Sequence, residues 1–87
     1  MKVKEGFILK DVGDASVVVA VGKQANNFKG VITLNESAKV LWLALSEGAD
    51  MEGLIQSLMD VYDVDYDRAK KSCKAFIAKL SEAEVIE

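Results

Sequence analysis

The feature that most limits how this chain can fold is a strand pattern that passes directly into a helix pattern, within residues 28–45. Residues 28–34 form a short apolar run with consecutive β-branched side chains, which favours a strand. After it, apolar side chains recur at the i, i+3, i+4, i+7 spacing of one helix face: Ala38, Leu41, Trp42 and Leu45. Asn35 stands between the two patterns, where its side chain can cap the first helical turn. We therefore expect earlier segments to pair with the strand and later ones to pack on the helix.

Two more strands are predicted before this joint. Residues 6–12 and 15–21 are rich in apolar and β-branched side chains, and Gly13 lies between them at a position that suits a tight turn. Residues 22–27 are polar and predict a loop, so no helix is expected before residue 34. Three strands with short connections are typical of an antiparallel meander.

Three helices are predicted over residues 36–46, 51–62 and 66–81. The second and third carry apolar stripes at helical spacing, formed by Met51, Leu54, Ile55, Leu58 and Tyr62, then by Ala69, Cys73, Phe76, Ile77 and Leu80. Residues that suit helix ends stand at the boundaries: Gly48 after the first helix, and Asp50 and Asp65 as N-caps of the second and third.

The order of these elements predicts one α+β domain over residues 1–87. It is winged-helix-like, with a three-stranded antiparallel sheet followed by three α-helices. The chain has 87 residues, of which 51% are hydrophobic, so it can bury a single core. Beyond the third helix, Val85 and Ile86 are the only apolar pair, and we expect them to dock on that core.

Composition narrows the classes of function. The single cysteine forbids an intrachain disulfide, and we find no signal peptide or membrane-spanning run, which predicts a cytoplasmic protein without a membrane partner. The net charge is −3, and residues 35–87 carry eleven acidic but only six basic side chains. This balance argues against general nucleic-acid binding, which needs net neutralisation of phosphates.

The residue types needed for catalysis or metal binding are mostly missing. There is no histidine, and no serine or cysteine has an evident activating base, so we predict no enzyme activity and no cofactor. Asp63, Asp65 and Asp67 resemble the opening of an EF-hand loop. Arg68 and Lys74, however, stand where that loop needs glycine and glutamate, so no metal site is predicted. Cys73 and Trp42 fall on apolar stripes and are expected in the core.

One face of the third predicted helix has two possible interpretations. It lies about 120° from the centre of the apolar stripe and consists of long basic residues that frame small ones: Arg68, Lys71, Ser72, Ala75 and Lys79. A solvated surface explains this pattern, and so does a shallow groove that takes a partner segment with acidic residues. The residues alone leave both open.

Several segments taken together resemble a known family. They are LNESAKVLW at 34–42, the break at Gly48, LIQSL at 54–58, YDVD at 62–65 and FIAKL at 76–80. In order and spacing they are similar to the coenzyme PQQ synthesis protein D family over nearly the whole chain. The resemblance implies an adaptor that binds the leader of a ribosomally made precursor peptide. It would present that leader to a modifying enzyme, such as a radical SAM enzyme, in PQQ biosynthesis or a related pathway.

The resemblance also implies where the leader binds. In that family it adds as a strand to the third β-strand, in the cleft formed with the third helix. On this chain the corresponding positions are Lys29, Gly30, Val31, Ile32 and Thr33 in the strand, and Arg68, Lys71, Ser72, Ala75 and Lys79 on the helix. The chain departs from the family at 83–84, Ala-Glu, where many relatives have glycine.

A DNA-binding winged-helix regulator is the alternative, because one fold can serve several functions. The third predicted helix would then be the recognition helix. Four aspartates lie around the N-terminus of that helix, where DNA phosphates would have to approach: Asp60, Asp63, Asp65 and Asp67. Their charge favours the peptide-binding hypothesis over this one.

Overall fold

The computed structural model describes residues 2–27 and 30–87. Three strands, β1 (Phe7–Val12), β2 (Ala15–Ala20) and β3 (Ile32–Leu34), form an antiparallel sheet in the order β1-β2-β3. A single turn of helix, α1 (Gln24–Asn27), lies between β2 and β3. Three longer helices follow: α2 (Glu36–Ser46), α3 (Met51–Val61) and α4 (Tyr66–Glu82). The predicted α+β class and the order of sheet before helices are confirmed, and these helices end within one residue of their predicted boundaries.

The short helix α1 corrects one expectation. Residues 22–27 were predicted to be a loop, with no helix before residue 34, and that prediction was wrong. The N–H groups of Ala25 and Asn26 donate to the carbonyls of Gly22 and Lys23, at 3.2 and 3.3 Å. Such i→i−3 hydrogen bonds close a single tight turn without any apolar face. A turn of this kind cannot be predicted from hydrophobic periodicity.

Strand β3 is shorter than predicted. It pairs with β2 through Leu34 opposite Ser16, Thr33 opposite Val17 and Ile32 opposite Val18. The prediction of a strand over residues 28–34 was wrong at Gly30 and Val31, which precede β3, while residues 28 and 29 lie outside the described part of the chain. Gly30 has φ +104°, a conformation that is incompatible with an extended strand and favours glycine.

The N-cap predicted between β3 and α2 is present in the structure. Asn35 accepts a hydrogen bond from the backbone N–H of Ala38 at 2.9 Å. The other two predicted N-caps form in the same way: Asp50 accepts from Gly53 and Asp65 accepts from Arg68, both at 2.8 Å. Each cap satisfies one of the backbone donors that a helix N-terminus leaves free.

The C-terminal segment returns to the start of the chain. Val85 and Ile86 are buried, as expected, and Val3 forms an isolated antiparallel bridge with Ile86. The N–H of Lys4 donates to the carbonyl of Val85 at 2.9 Å. These hydrogen bonds place the two ends of the domain side by side against one core.

A single hydrophobic core lies between the sheet and the helices. Its residues come from all three strands, α2, α3, α4 and the C-terminal segment: Phe7, Val18, Ile32, Leu34, Leu41, Trp42, Leu45, Leu54, Ile55, Leu58, Ala69, Cys73, Phe76, Leu80, Val85 and Ile86. Trp42 and Cys73 are among them, so their predicted core positions are confirmed. Burial raises the pKa of the Cys73 thiol. None of the helices within 2–27 and 30–87 is long and apolar enough to cross a membrane.

Candidate functional site

Strand β3 lies at one edge of the sheet, as predicted. Its only strand partner among the described residues is β2, so the opposite side of its backbone faces no strand. Ile32 and Leu34 point into the core, whereas Thr33 is exposed. An edge of this kind can accept another extended segment through main-chain hydrogen bonds.

The approach to β3 is also open. Val31, immediately before the strand, is 58% exposed, which is high for a large apolar side chain. Apart from its chain neighbours, no described residue has an atom within 4 Å of a Cβ placed on Gly30. The described residues therefore leave free space for an incoming backbone at the start of β3.

The outer face of α4 carries the five helical residues predicted for the site. Arg68, Lys71, Ser72, Ala75 and Lys79 all lie in α4, and all are exposed. The opposite side of the helix holds core residues such as Cys73 and Leu80. Within the part of the chain that the structure describes, the only ion pair joins Lys39 to Asp11, so no carboxylate neutralises the basic groups of this face.

A cleft of about 360 Å³ lies where the first turn of α2, the end of α3 and the start of α4 meet; we call it the three-helix cleft. Its lining residues come from all three helices and from the connection between α3 and α4: Ser37, Leu58, Tyr62, Val64, Arg68, Ala69 and Ser72. The structure thus brings Arg68 and Ser72 together in one cleft. Lys71, Ala75, Lys79 and the β3 positions do not line it.

Five of the seven lining residues were not among those predicted for the site: Ser37, Leu58, Tyr62, Val64 and Ala69. Ser37 is in the first turn of α2, three positions after the end of β3, and its hydroxyl donates to Asn35 Oδ1 at 3.0 Å. Tyr62 had been placed on the apolar stripe of its helix, and Val64 in the connecting turn. The segment YDVD and the capped start of α2 are both recognisable in the sequence, but no spacing rule predicts that they lie side by side.

A hydrogen bond outside the cleft joins the starts of α3 and α4. Tyr66 Oη donates to Glu52 Oε2 at 2.8 Å, and both residues lie in the first turn of their helices. The bond to the Glu52 carboxylate raises the pKa of Tyr66. Because Arg68 is two residues after Tyr66, this bond helps to hold the turn of α4 that carries the guanidinium.

A second polar contact joins the sheet to α2. Asp11 Oδ1 accepts hydrogen bonds from Lys39 Nζ at 2.8 Å and from Ser16 Oγ at 2.7 Å. The Lys39 ammonium, followed by the Ser16 hydroxyl, lowers the pKa of Asp11. The contact joins the β1–β2 hairpin to the helix that follows β3.

No metal site is evident in the described residues. No group of three or more histidine, cysteine, aspartate or glutamate side chains within them could hold a metal ion. Asp65, the central residue of the EF-hand-like sequence, accepts the N-cap hydrogen bond of α4 instead. The polar groups at the edge of β3 and on α4 are suited to hydrogen bonding and ion pairing with an extended chain.

Together, the fold and this site define a small α+β domain with an exposed sheet edge at β3 and a basic face on α4. The chain belongs to the coenzyme PQQ synthesis protein D (PqqD) family, whose model matches residues 15–86. The resemblance inferred from the sequence is therefore confirmed. A comparison with curated proteins gave no match.

Two solved structures share the fold. One is TbiB1 in complex with the TbiA(beta) leader peptide, with a TM-score of 0.81, 20% identity, and coverage of 100% of this chain and 95% of the other. The second is lasso peptide synthetase B1 complexed with the leader peptide, with a TM-score of 0.75, 18% identity, and coverage of 98% and 93%. At these identities the likeness establishes the common fold.

Proposed function

We propose that this protein is a peptide-binding adaptor for the leader of a ribosomally made precursor peptide. The observation that carries the proposal is membership of the PqqD family over residues 15–86. The two structurally similar proteins, each described in complex with a leader peptide, support the same function. The open edge of β3 offers the main-chain donors and acceptors that such a function needs.

We infer that the leader adds as a strand to the outer edge of β3 and lies against the exposed face of α4. The proposed strand positions are Lys29, Gly30, Val31, Ile32 and Thr33, of which Lys29 lies outside the described residues. The proposed helix positions are Arg68, Lys71, Ser72, Ala75 and Lys79. The short β3 fits this mode because Gly30 and Val31 leave room for an added strand to extend beyond Ile32.

Charge favours a leader with acidic residues. Arg68, Lys71 and Lys79 form a basic strip on the helical half of the chain, which is otherwise net acidic. Such a strip attracts a segment that bears carboxylates, while the acidic surroundings disfavour a polyanion. Arg68 offers a bidentate fork to a carboxylate, and the lysines act as point charges.

The protein acts, in this proposal, as an adaptor and not as an enzyme. It would hold the leader while a separate modifying enzyme, such as a radical SAM enzyme, acts on the rest of the precursor in PQQ biosynthesis or a related pathway. No cofactor is assigned to the domain. The DNA-binding alternative has no support from the family match or from the two structural neighbours.

The proposal is tested by titrating the ¹⁵N-labelled protein with the leader of a precursor encoded beside its gene. Strand addition predicts amide shifts concentrated in residues 30–34 and along α4. A scrambled peptide of the same composition is the control and should leave the spectrum unchanged. Shifts confined to β1, the other edge of the sheet, would contradict the proposed site; absence of binding by the leader would contradict the function.

A further inference from the structure

The three-helix cleft differs chemically from the rest of the proposed site. Its inner surface is apolar, because Leu58 and Ala69 are only 3% and 1% exposed and the half-buried Tyr62 and Val64 lie beside them. Polar groups come from Arg68, Ser72 and Ser37. An apolar floor with a few polar groups at its mouth is the usual composition of a ligand pocket, in which the polar groups provide specificity.

The cation at the mouth of the cleft is unneutralised. Arg68 is exposed, and within 2–27 and 30–87 its guanidinium has no carboxylate within ion-pair distance. Asp65, three residues earlier, directs its Oδ1 to the backbone N–H of Arg68 and so caps the helix. The guanidinium is therefore free to receive a carboxylate from a ligand, in the bidentate geometry that arginine favours.

The cleft also has one wall residue close to the end of the edge strand. Ser37 contributes to its wall and follows the end of β3 by three residues. Three residues span at most about 10 Å, so a segment that runs along β3 past Leu34 comes within about that distance of the cleft wall. In an extended segment alternate side chains share one face, so two residues separated by one position point towards the helices together.

We propose that the three-helix cleft is a specificity subsite that recognises two features of the leader: an apolar side chain in the cleft and a carboxylate two residues away on Arg68. This inference rests on the proposed leader-binding function and adds to it a sequence requirement. It separates Arg68 from Lys71 and Lys79, because only Arg68 lines the cleft. The two lysines attract acidic leaders in general, whereas Arg68 recognises a carboxylate at one position of the leader.

The probe is a phage-displayed library of random linear peptides, selected on the immobilised protein. Enriched peptides should carry an apolar residue and an Asp or Glu at i±2. A synthetic copy of one enriched peptide is then titrated against two variants. Arg68→Gln should weaken binding about threefold to fivefold. Lys74→Gln, which removes the same charge from an exposed position elsewhere on α4, should change it by less than about twofold.

A double-mutant cycle assigns the contact. Replacing the peptide Asp by Asn should weaken binding to the native protein by about the same factor as Arg68→Gln, with little further loss when both changes are combined. Ser72→Trp should block the cleft, and Lys74→Trp is its control. Additive losses, or enriched peptides without the acidic spacing, would overturn this inference but not leader binding. Failure of the native leader to bind in the amide titration would overturn both.

Discussion

The backbone N–H of Val85 donates to the carbonyl of Leu80 at 3.0 Å, and both side chains are fully buried. Between them, the N–H of Glu84 donates to Ser81 at 3.1 Å. This is the Schellman arrangement that ends α4, and it places Glu84 at the left-handed C′ position, with φ +59°. Most side chains resist this conformation, and glycine favours it. A non-glycine residue here stores strain that the packing of Val85 holds in place.

Replacing Glu84 by glycine should stabilise the domain. The change removes the left-handed strain and should raise the free energy of unfolding by about 0.5–1 kcal/mol. Urea denaturation measures it. Glu82→Gly is the matched control, since Glu82 is an exposed helical residue near the same end of α4 and should lose about 0.5–1 kcal/mol. Equal destabilisation by both changes would contradict this account of the helix end.

Asn35 should contribute more to the stability of the domain than its exposed position suggests. Asn35→Ala removes the cap that joins β3 to α2 and should lower the free energy of unfolding by about 1 kcal/mol. Asn26→Ala, at an exposed position in α1, should remain within about 0.5 kcal/mol of the native value. Thermal or urea unfolding of the two variants, compared with the native chain, gives the answer. A loss no larger for Asn35 than for Asn26 would show that the cap contributes nothing.

The Asp11–Lys39 contact should make stability depend on pH in the acid range. The pKa of Asp11 is lowered in the folded protein from its usual value of 3.8. The ionised carboxylate therefore stabilises the fold at pH values above 3.8. That contribution is lost as the pH falls through the lower, folded-state pKa. NMR titration of the Asp11 carboxyl should therefore show a midpoint below 3.8, which moves up in Lys39→Met. A midpoint that does not respond to Lys39 would contradict the assigned cause.

The hydrogen bond between Tyr66 and Glu52 should be visible in a phenol titration. It raises the pKa of Tyr66 above its usual value of 10.0. Phenolate absorbance of a Tyr62→Phe variant isolates Tyr66, and adding Glu52→Gln should lower the midpoint towards 10.0. An unchanged midpoint would mean that the carboxylate does not accept this hydrogen bond in solution.

The basic strip should govern the salt dependence of leader binding. Changing Arg68, Lys71 and Lys79 together to serine should weaken binding several-fold, since each exposed ion pair is worth about 0.2–1 kcal/mol. The same change should flatten the salt dependence without unfolding the domain. Calorimetric titration of the leader at two salt concentrations measures both effects. Lys70→Ser with Lys74→Ser, on other sides of α4, is the control. Unchanged affinity in the triple variant would leave strand addition without a charge contribution.

Local features could be predicted because each depends on a few neighbouring residues. The three N-caps, the turn at Gly48 and the apolar stripes of the helices are set by spacing and by hydrogen bonds that close within one turn. The edge position of β3 followed from the order of the meander. The family was also recognisable, since its signature is the order and spacing of such features along the chain.

The remaining features were decided by contacts between distant segments. Gly30 could have continued an extended strand, but the tertiary structure places it at φ +104° and limits β3 to three residues. Glu84 adopts a glycine-like conformation at the point where the chain leaves α4 and Val85 enters the core. The three-helix cleft depends on how α2, α3 and α4 meet, which no local pattern specifies. The sequence by itself therefore determined the elements and their order, whereas tertiary packing decided the length of the edge strand β3 and the shape of the three-helix cleft.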